Sequence, residues 1–222
     1  MIEMNMRKAD GRNTCSITKE ELENAFDQRF PKEIKEKLQA SKVAIAGLGG
    51  LGSHIAVMLA RSGVGHLLLV DYDVVDITNL NRQMYGISHI GLPKTEALLT
   101  ILQQVNPYLT YETKQCKVTA DCVKELFGEY GIVCEAFDKP DQKAMLVNTI
   151  LEQCPGTVVV SGNGMAGFSD ANAILTKQRM SKLYVCGDGT TDIGAGMGLM
   201  APRVAICAGH QANKVLQLLL EA

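Results

Sequence analysis

KVAIAGLGGLGSHIAVMLARSGVGHLLLVD, residues 42–71, is the stretch on which the fold turns. VAIA (43–46) is a short apolar run of the kind buried on both faces of a parallel sheet. GLGGLG (47–52) follows at once with G-x-G-x-x-G spacing, and the apolar segment 53–62 reads as a helix. HLLLV (66–70) is a second strand, and Asp71 closes it, nineteen residues after Gly52. In such a βαβ unit the glycines let the backbone turn sharply and approach phosphate oxygens. The helix N-terminus adds free N–H groups and a partial positive charge. A carboxylate at the end of the second strand accepts hydrogen bonds from ribose hydroxyls. Gly47, Gly49, Gly50, Gly52 and Asp71 therefore read as a nucleotide site, although the motif does not choose the nucleotide.

Outward from this unit the alternation continues. A polar loop (71–92) leads to a helix opened by Pro93, whose Ala97, Leu98, Ile101, Leu102 and Val105 share one face. Then come a strand around 111–118, a helix over 120–127, a strand over 132–137, a helix over 140–153 and a strand over 158–162. This order predicts an α/β, Rossmann-like, mostly parallel sheet with helices on both faces. Segment 163–200 is glycine-rich and less regular, and a long helix over about 203–220 follows. On the N-terminal side the chain is polar, with Thr18 and Glu21 at capping-box spacing for a helix over 18–29 and a second helix over 32–38. The expected organisation is a short helical extension (1–40) and one nucleotide-binding domain (41–222).

Composition bounds the function. Of 222 residues, 46% are hydrophobic and 21% charged, the balance of an ordinary globular protein rather than a disordered one. The formal net charge of −2 supplies no basic field for nucleic acid. Seven cysteines without a CxxC pair argue against a disulfide scaffold and a four-thiolate zinc site. The first residues are too polar for a signal peptide and no stretch approaches a membrane span, so a cytoplasmic protein with no membrane partner is expected.

Downstream residues refine the chemistry. DYDVVDITNLNRQ (71–83) carries Asp71 and Asp73 and then a cluster of Asn79, Asn81, Arg82 and Gln83. Arg82 offers the planar fork that suits phosphate oxygens. Lys94 stands in the first turn of the helix opened by Pro93, against the helix dipole, so its position needs another reason. Asp138 follows an apolar strand at the carboxyl end, where open α/β sheets bind ligands. It either holds Mg²⁺ or caps the next helix.

Together GLGGLG, LLLVDYDVVDITNLNRQ, GLPK (91–94), Asp138 and GLMAPRVAICAGHQANKVL (198–216) resemble the ThiF family of sulfur-carrier adenylyltransferases, relatives of ubiquitin-activating enzymes. The resemblance runs from about residue 40 to the end of the chain. It implies ATP and Mg²⁺ as ligands and adenylation of the C-terminal glycine carboxylate, at the end of a Gly-Gly tail, of a ubiquitin-like carrier. Pyrophosphate is released. By motif position the glycine turn would lie along the nucleotide, Asp71 would bind its ribose, and Asn79, Arg82 and Lys94 would hold the phosphates, with Asp73 a further nucleotide-binding residue. Asp138 would bind Mg²⁺. Arg82, Lys94 and Asp138 are the expected catalytic set. The attacking carboxylate is already ionised near neutral pH, so no general base is required.

The sequence departs from the family in three respects. Many relatives bind zinc through two CxxC pairs absent here, so no zinc is expected and the compact thiamine-pathway branch, with a ThiS-like carrier, is the closest resemblance. The nearest counterpart of an N-terminal arginine that reaches the partner subunit's ATP is Arg29. Cys186, the one cysteine near the loop before the last helix, reads as a buried structural thiol, and His54 as a helix-surface residue. A homodimer is expected from the resemblance and from the apolar VLQLLL run of the last helix. The alternatives are activation of the molybdopterin-synthase carrier, adenylation of a modified tRNA base, and an NAD-binding oxidoreductase. The last gives Asn79–Gln83 and Lys94 no role.

Overall fold

A computed structural model of the chain describes residues 7–9, 12–14, 17–192, 194 and 196–221, in two compact units, 1–36 and 37–222. Residues 1–6, 10, 11, 15 and 16, Cys15 among them, lie outside the described residues. In the smaller unit β1 (Arg7–Ala9) pairs antiparallel with β2 (Arg12–Thr14). Helix α1 (Lys19–Asp27) opens with the capping box expected of its sequence. The Thr18 hydroxyl accepts the Glu21 N–H at 3.2 Å and the Glu21 carboxylate accepts the Thr18 N–H at 2.7 Å. Helix α2 (Lys32–Gln39) runs across the boundary between the units.

The larger unit alternates as expected: β3 (Lys42–Ala46), α3 (Gly50–Arg61), β4 (His66–Asp71), α4 (Lys94–Val105), β5 (Thr110–Gln115), α5 (Ala120–Phe127), β6 (Ile132–Glu135), α6 (Pro140–Gln153) and β7 (Val158–Gly162). Two strands, β8 (Leu175–Met180) and β9 (Leu183–Gly187), then precede the terminal helix α7 (Ala201–Leu220). The sheet order is β5-β4-β3-β6-β7-β9-β8, parallel except for the β8–β9 hairpin. That hairpin corrects the reading of 163–200 as irregular. Every residue of β8 is exposed, so it carries no apolar alternation to announce a strand.

Val43 to Ala46 and Leu67 to Val70 are fully buried because both sheet faces are covered. Ala44, Ala46, Leu68, Val70 and Val133 meet Phe127, Leu146 and Ile150 of α5 and α6. On the other face α3 packs between α4 and α7. Helix α3 starts at Gly50, three residues earlier than read, so Gly50 and Gly52 lie in its first turn. Strand order reverses at β3, whose neighbours β4 and β6 lead away in opposite directions, and such a switch point opens a crevice at the carboxyl ends of the strands. Among the described residues no helix is long and apolar enough to cross a membrane.

Candidate functional site

A cleft of about 590 Å³ opens at that switch point, within the usual size range of small-ligand sites. Its walls come from residues at or just past the carboxyl ends of β3 to β7, among them Gly47, Asp71, Cys116, Ala136 and Gly162. Gly47, Gly49, Gly50, Asp71, Asp73, Asn79, Arg82, Lys94 and Asp138 all line it, although they are spread over 92 positions of sequence. Gly52 does not line it. A β-carbon there would sit 1.8 Å from the Gly47 carbonyl oxygen, so its missing side chain is what lets α3 close on the turn. Gly47 has φ +91°, and its N–H donates to the Val70 carbonyl at 2.8 Å, which ties the turn to β4.

Asp71 is buried. Its carboxylate accepts the Leu48 N–H at 2.6 Å and the Asp73 N–H at 2.8 Å, so it braces the glycine turn as well as facing the cleft. Burial pushes its carboxyl up, and the nearby Lys94 charge works the other way. Tyr85 is buried beside the glycine turn. Its hydroxyl donates to the Leu48 carbonyl at 2.8 Å, and burial, then the Asp71 charge, push its pKa up.

The polar loop after β4 is a folded arm. Val75 donates to the Leu92 carbonyl and Gly91 to the Val75 carbonyl, both at 2.9 Å, while the Asp76 carboxylate accepts the Thr78 N–H at 2.8 Å. The Asn79 side-chain oxygen accepts the Asp76 N–H at 3.0 Å, so Asn79 shapes the arm that presents Arg82. The Arg82 guanidinium donates to the Thr78 carbonyl at 3.1 Å and to Asn81 Oδ1 at 2.8 Å. Lys94, buried in the first turn of α4, places its ammonium 3.0 Å from Asp73, whose carboxylate is half-exposed. That ion pair is the physical reason a lysine can stand against the helix dipole there.

His54 is not the surface residue read from sequence. It is half-buried and its Nε2 lies 3.2 Å from the Arg82 carbonyl, which fixes a donor tautomer at Nε2 and tethers the arm to α3. Burial lowers its pKa, and the bond to the Arg82 carbonyl opposes that. Asp138 is exposed on the cleft wall and does not cap α6, whose N-cap is Lys139. Cys186 is fully buried in β9, and burial pushes its thiol up, as a structural thiol requires. Strand β6 ends at Glu135, two residues short of the strand read from sequence, because the Glu135 carboxylate takes the Phe137 N–H at 2.7 Å and turns the chain toward Asp138.

Two buried ion pairs escaped the sequence reading. Glu135 meets Lys143 at 2.8 Å. Arg203, in the first turn of α7, pairs with Asp188 and also donates to the Ser169 and Asp170 carbonyls at 2.7 Å each. This clamp holds together the segment that contributes Thr191 and Asp192 to the cleft. Burial alone works against Asp188's charge. The Thr191 and Thr190 N–H groups, the Thr191 hydroxyl and Arg203 outweigh it and hold its carboxyl far below the usual carboxylate range. The signal for both pairs is a charged residue within an apolar or glycine-rich run, which sequence shows without naming its partner.

A protein-family model described as the ThiF family matches residues 23–222. The molybdopterin-synthase adenylyltransferase of Haemophilus influenzae is 37% identical over 136 residues, 57% of this chain and 56% of that protein. The tRNA threonylcarbamoyladenosine dehydratase of Bacillus subtilis is 37% identical over 142 residues, 63% of this chain and 55% of that protein. The chain thus spans about half the length of these curated relatives. Among solved structures, the Escherichia coli tRNA N6-threonylcarbamoyladenosine dehydratase in complex with ATP has the same fold, with a TM-score of 0.82 at 21% identity over 93% of this chain and 97% of that one.

Proposed function

The chain belongs to the ThiF family, and on that premise we propose that it adenylates the C-terminal carboxylate of a ubiquitin-like sulfur-carrier protein at the expense of ATP. The observation that carries this reading is the convergence of the glycine turn, Asp71, Arg82, Lys94 and Asp138 on one cleft at the strand switch point. The family and the phosphate-directed cluster set aside the NAD-oxidoreductase alternative.

The chemistry follows from charge. A carboxylate oxygen of the carrier attacks the α-phosphorus of ATP, a new O–P bond forms, and pyrophosphate leaves with the bridging oxygen. Two anions must meet, so fixed cations carry the catalysis. The Arg82 guanidinium can turn from a carbonyl and an amide to phosphate oxygens, a stronger charge-assisted pairing. Lys94 stays close to Asp73 and adds a second cation to the cleft lining. Mg²⁺ would offset phosphate charge, and an exposed cleft carboxylate such as Asp138 suits it, because Mg²⁺ is commonly held by one or two carboxylates plus substrate phosphates. No structural zinc is expected, because the sequence has no CxxC pair.

The relatives named above belong to molybdopterin synthesis and tRNA modification, so the molybdopterin-synthase type of carrier is favoured over the thiamine-pathway carrier suggested by the sequence. Exchange of labelled pyrophosphate into ATP, dependent on a carrier ending in Gly-Gly, tests the reaction. No exchange with any such carrier would sink it. The Bacillus subtilis relative supports a second reading, activation of a modified tRNA base, in which tRNA rather than the carrier would stimulate the exchange. The active unit is a homodimer in this proposal, and light scattering giving about 24 kDa at micromolar concentration would reject that.

A further inference from the structure

Glu135, the last residue of β6, has no exposed surface, yet it carries a carboxylate. Its Oε1 accepts the Phe137 N–H at 2.7 Å and the Lys143 ammonium at 3.1 Å. Its Oε2 accepts the Ser161 hydroxyl at 2.6 Å and lies 2.8 Å from the same ammonium. Lys143 also donates to the Phe137 carbonyl at 2.9 Å. It lines the cleft, with its ammonium drawn toward this carboxylate and this carbonyl. Behind the pair, the buried Gln211 of α7 donates to the Glu135 carbonyl at 3.2 Å and to the Val160 carbonyl at 3.0 Å.

The consequence lies one residue downstream. Phe137 is gripped at both its N–H and its carbonyl, and Asp138 follows it onto the cleft wall. An ionised carboxylate buried this completely is costly unless paired, and a well-packed apolar pair often serves stability as well or better. Filling the gap between β6 and α6 would not require charge, whereas holding a main-chain segment by short charge-assisted bonds does.

We propose that Glu135 and Lys143 are positioning residues whose ion pair fixes the main chain at Phe137 so that Asp138 presents its carboxylate to the metal–nucleotide in the cleft. This rests on the reading of Asp138 as the Mg²⁺ ligand. The test uses the full chain with Mn²⁺ and α,β-methylene-ATP, followed by electron paramagnetic resonance, beside calorimetric binding of ATP in EDTA. Asp138→Ala, Glu135→Gln and the double variant Glu135→Gln/Lys143→Met are compared with the wild type, because the double variant leaves no unpaired buried charge if a single change fails to fold. Loss of an orienting partner behind a metal ligand typically weakens metal affinity about 10–100-fold. We expect a weakening of about tenfold in nucleotide-dependent Mn²⁺ affinity for Glu135→Gln and for the double variant, with metal-free ATP binding unchanged. Unchanged Mn²⁺ affinity in a folded double variant, with Asp138→Ala still impaired, overturns the positioning role alone. Unchanged affinity in Asp138→Ala overturns the metal reading and this inference with it.

Discussion

Replacing Gly52 by alanine isolates the one glycine of the turn that serves packing alone. The added β-carbon would lie 1.8 Å from the Gly47 carbonyl oxygen, 2.9 Å from its carbonyl carbon and 3.3 Å from Ile45 Cγ2. Relief of such an overlap needs a movement of more than about 1 Å, since non-bonded heavy atoms settle near 3.5 Å. Gly47 cannot supply it: its N–H is bound to Val70, and the Ala136 carbonyl oxygen lies 2.8 Å from where its own β-carbon would be. Helix α3 must therefore shift against α7, at about 3 kcal/mol, the upper end of overpacking costs. For a chain of this size that is a fall of about 6–12 °C in Tm. Gly49→Ala is the contrast. Its β-carbon would meet only the Gln83 side chain at 3.7 Å and point into the cleft wall. It should melt within about 2 °C of wild type, a surface-scale effect, yet bind ATP more weakly because the backbone is screened from phosphate. Thermal denaturation and calorimetric ATP titration of both variants decide the matter. If Gly52→Ala melts with the wild type, or Gly49→Ala binds ATP as well as it does, the division of labour within the turn is wrong.

Other expectations concern charge and thiols. Arg82→Ala and Lys94→Ala should each lower carrier-dependent pyrophosphate exchange by about 10²–10³, the usual cost of removing one preorganised donor, and wild-type rates in both would move the phosphate site elsewhere. Asp188 has a depressed carboxyl in the folded state, so its contribution is complete above the unfolded value of about 4 and is lost as pH falls toward the folded one. Asp188→Asn should therefore flatten the decline of the urea midpoint below pH 4, and an acid limb as steep as wild type would contradict the clamp. Cys186→Ala should leave adenylate formation intact, since the thiol is fully buried in β9. Normal exchange combined with failed sulfur loading of the carrier would instead make Cys186 a transfer residue.

What the sequence by itself determined was local. The βαβ unit, the capping box at Thr18 and Glu21, and Asp71 at the end of β4 were all legible, because each rests on spacing within one strand–turn–helix segment. The regular helices were legible too, since a buried stripe at period 3.6 is written into neighbouring residues. Tertiary structure alone decided which charges meet. The bonds of Glu135 to Ser161 and of Gln211 to the Val160 carbonyl join residues 26 and 51 positions apart. No local pattern marks such a pair, because its stability comes from shared burial rather than from spacing. Strand β8 stayed hidden because both its faces are exposed. Gly52 changed from a presumed nucleotide contact to a packing residue once the Gly47 carbonyl was seen above it. Periodicity records which face of an element is buried; what is buried against it is a matter of where distant segments arrive.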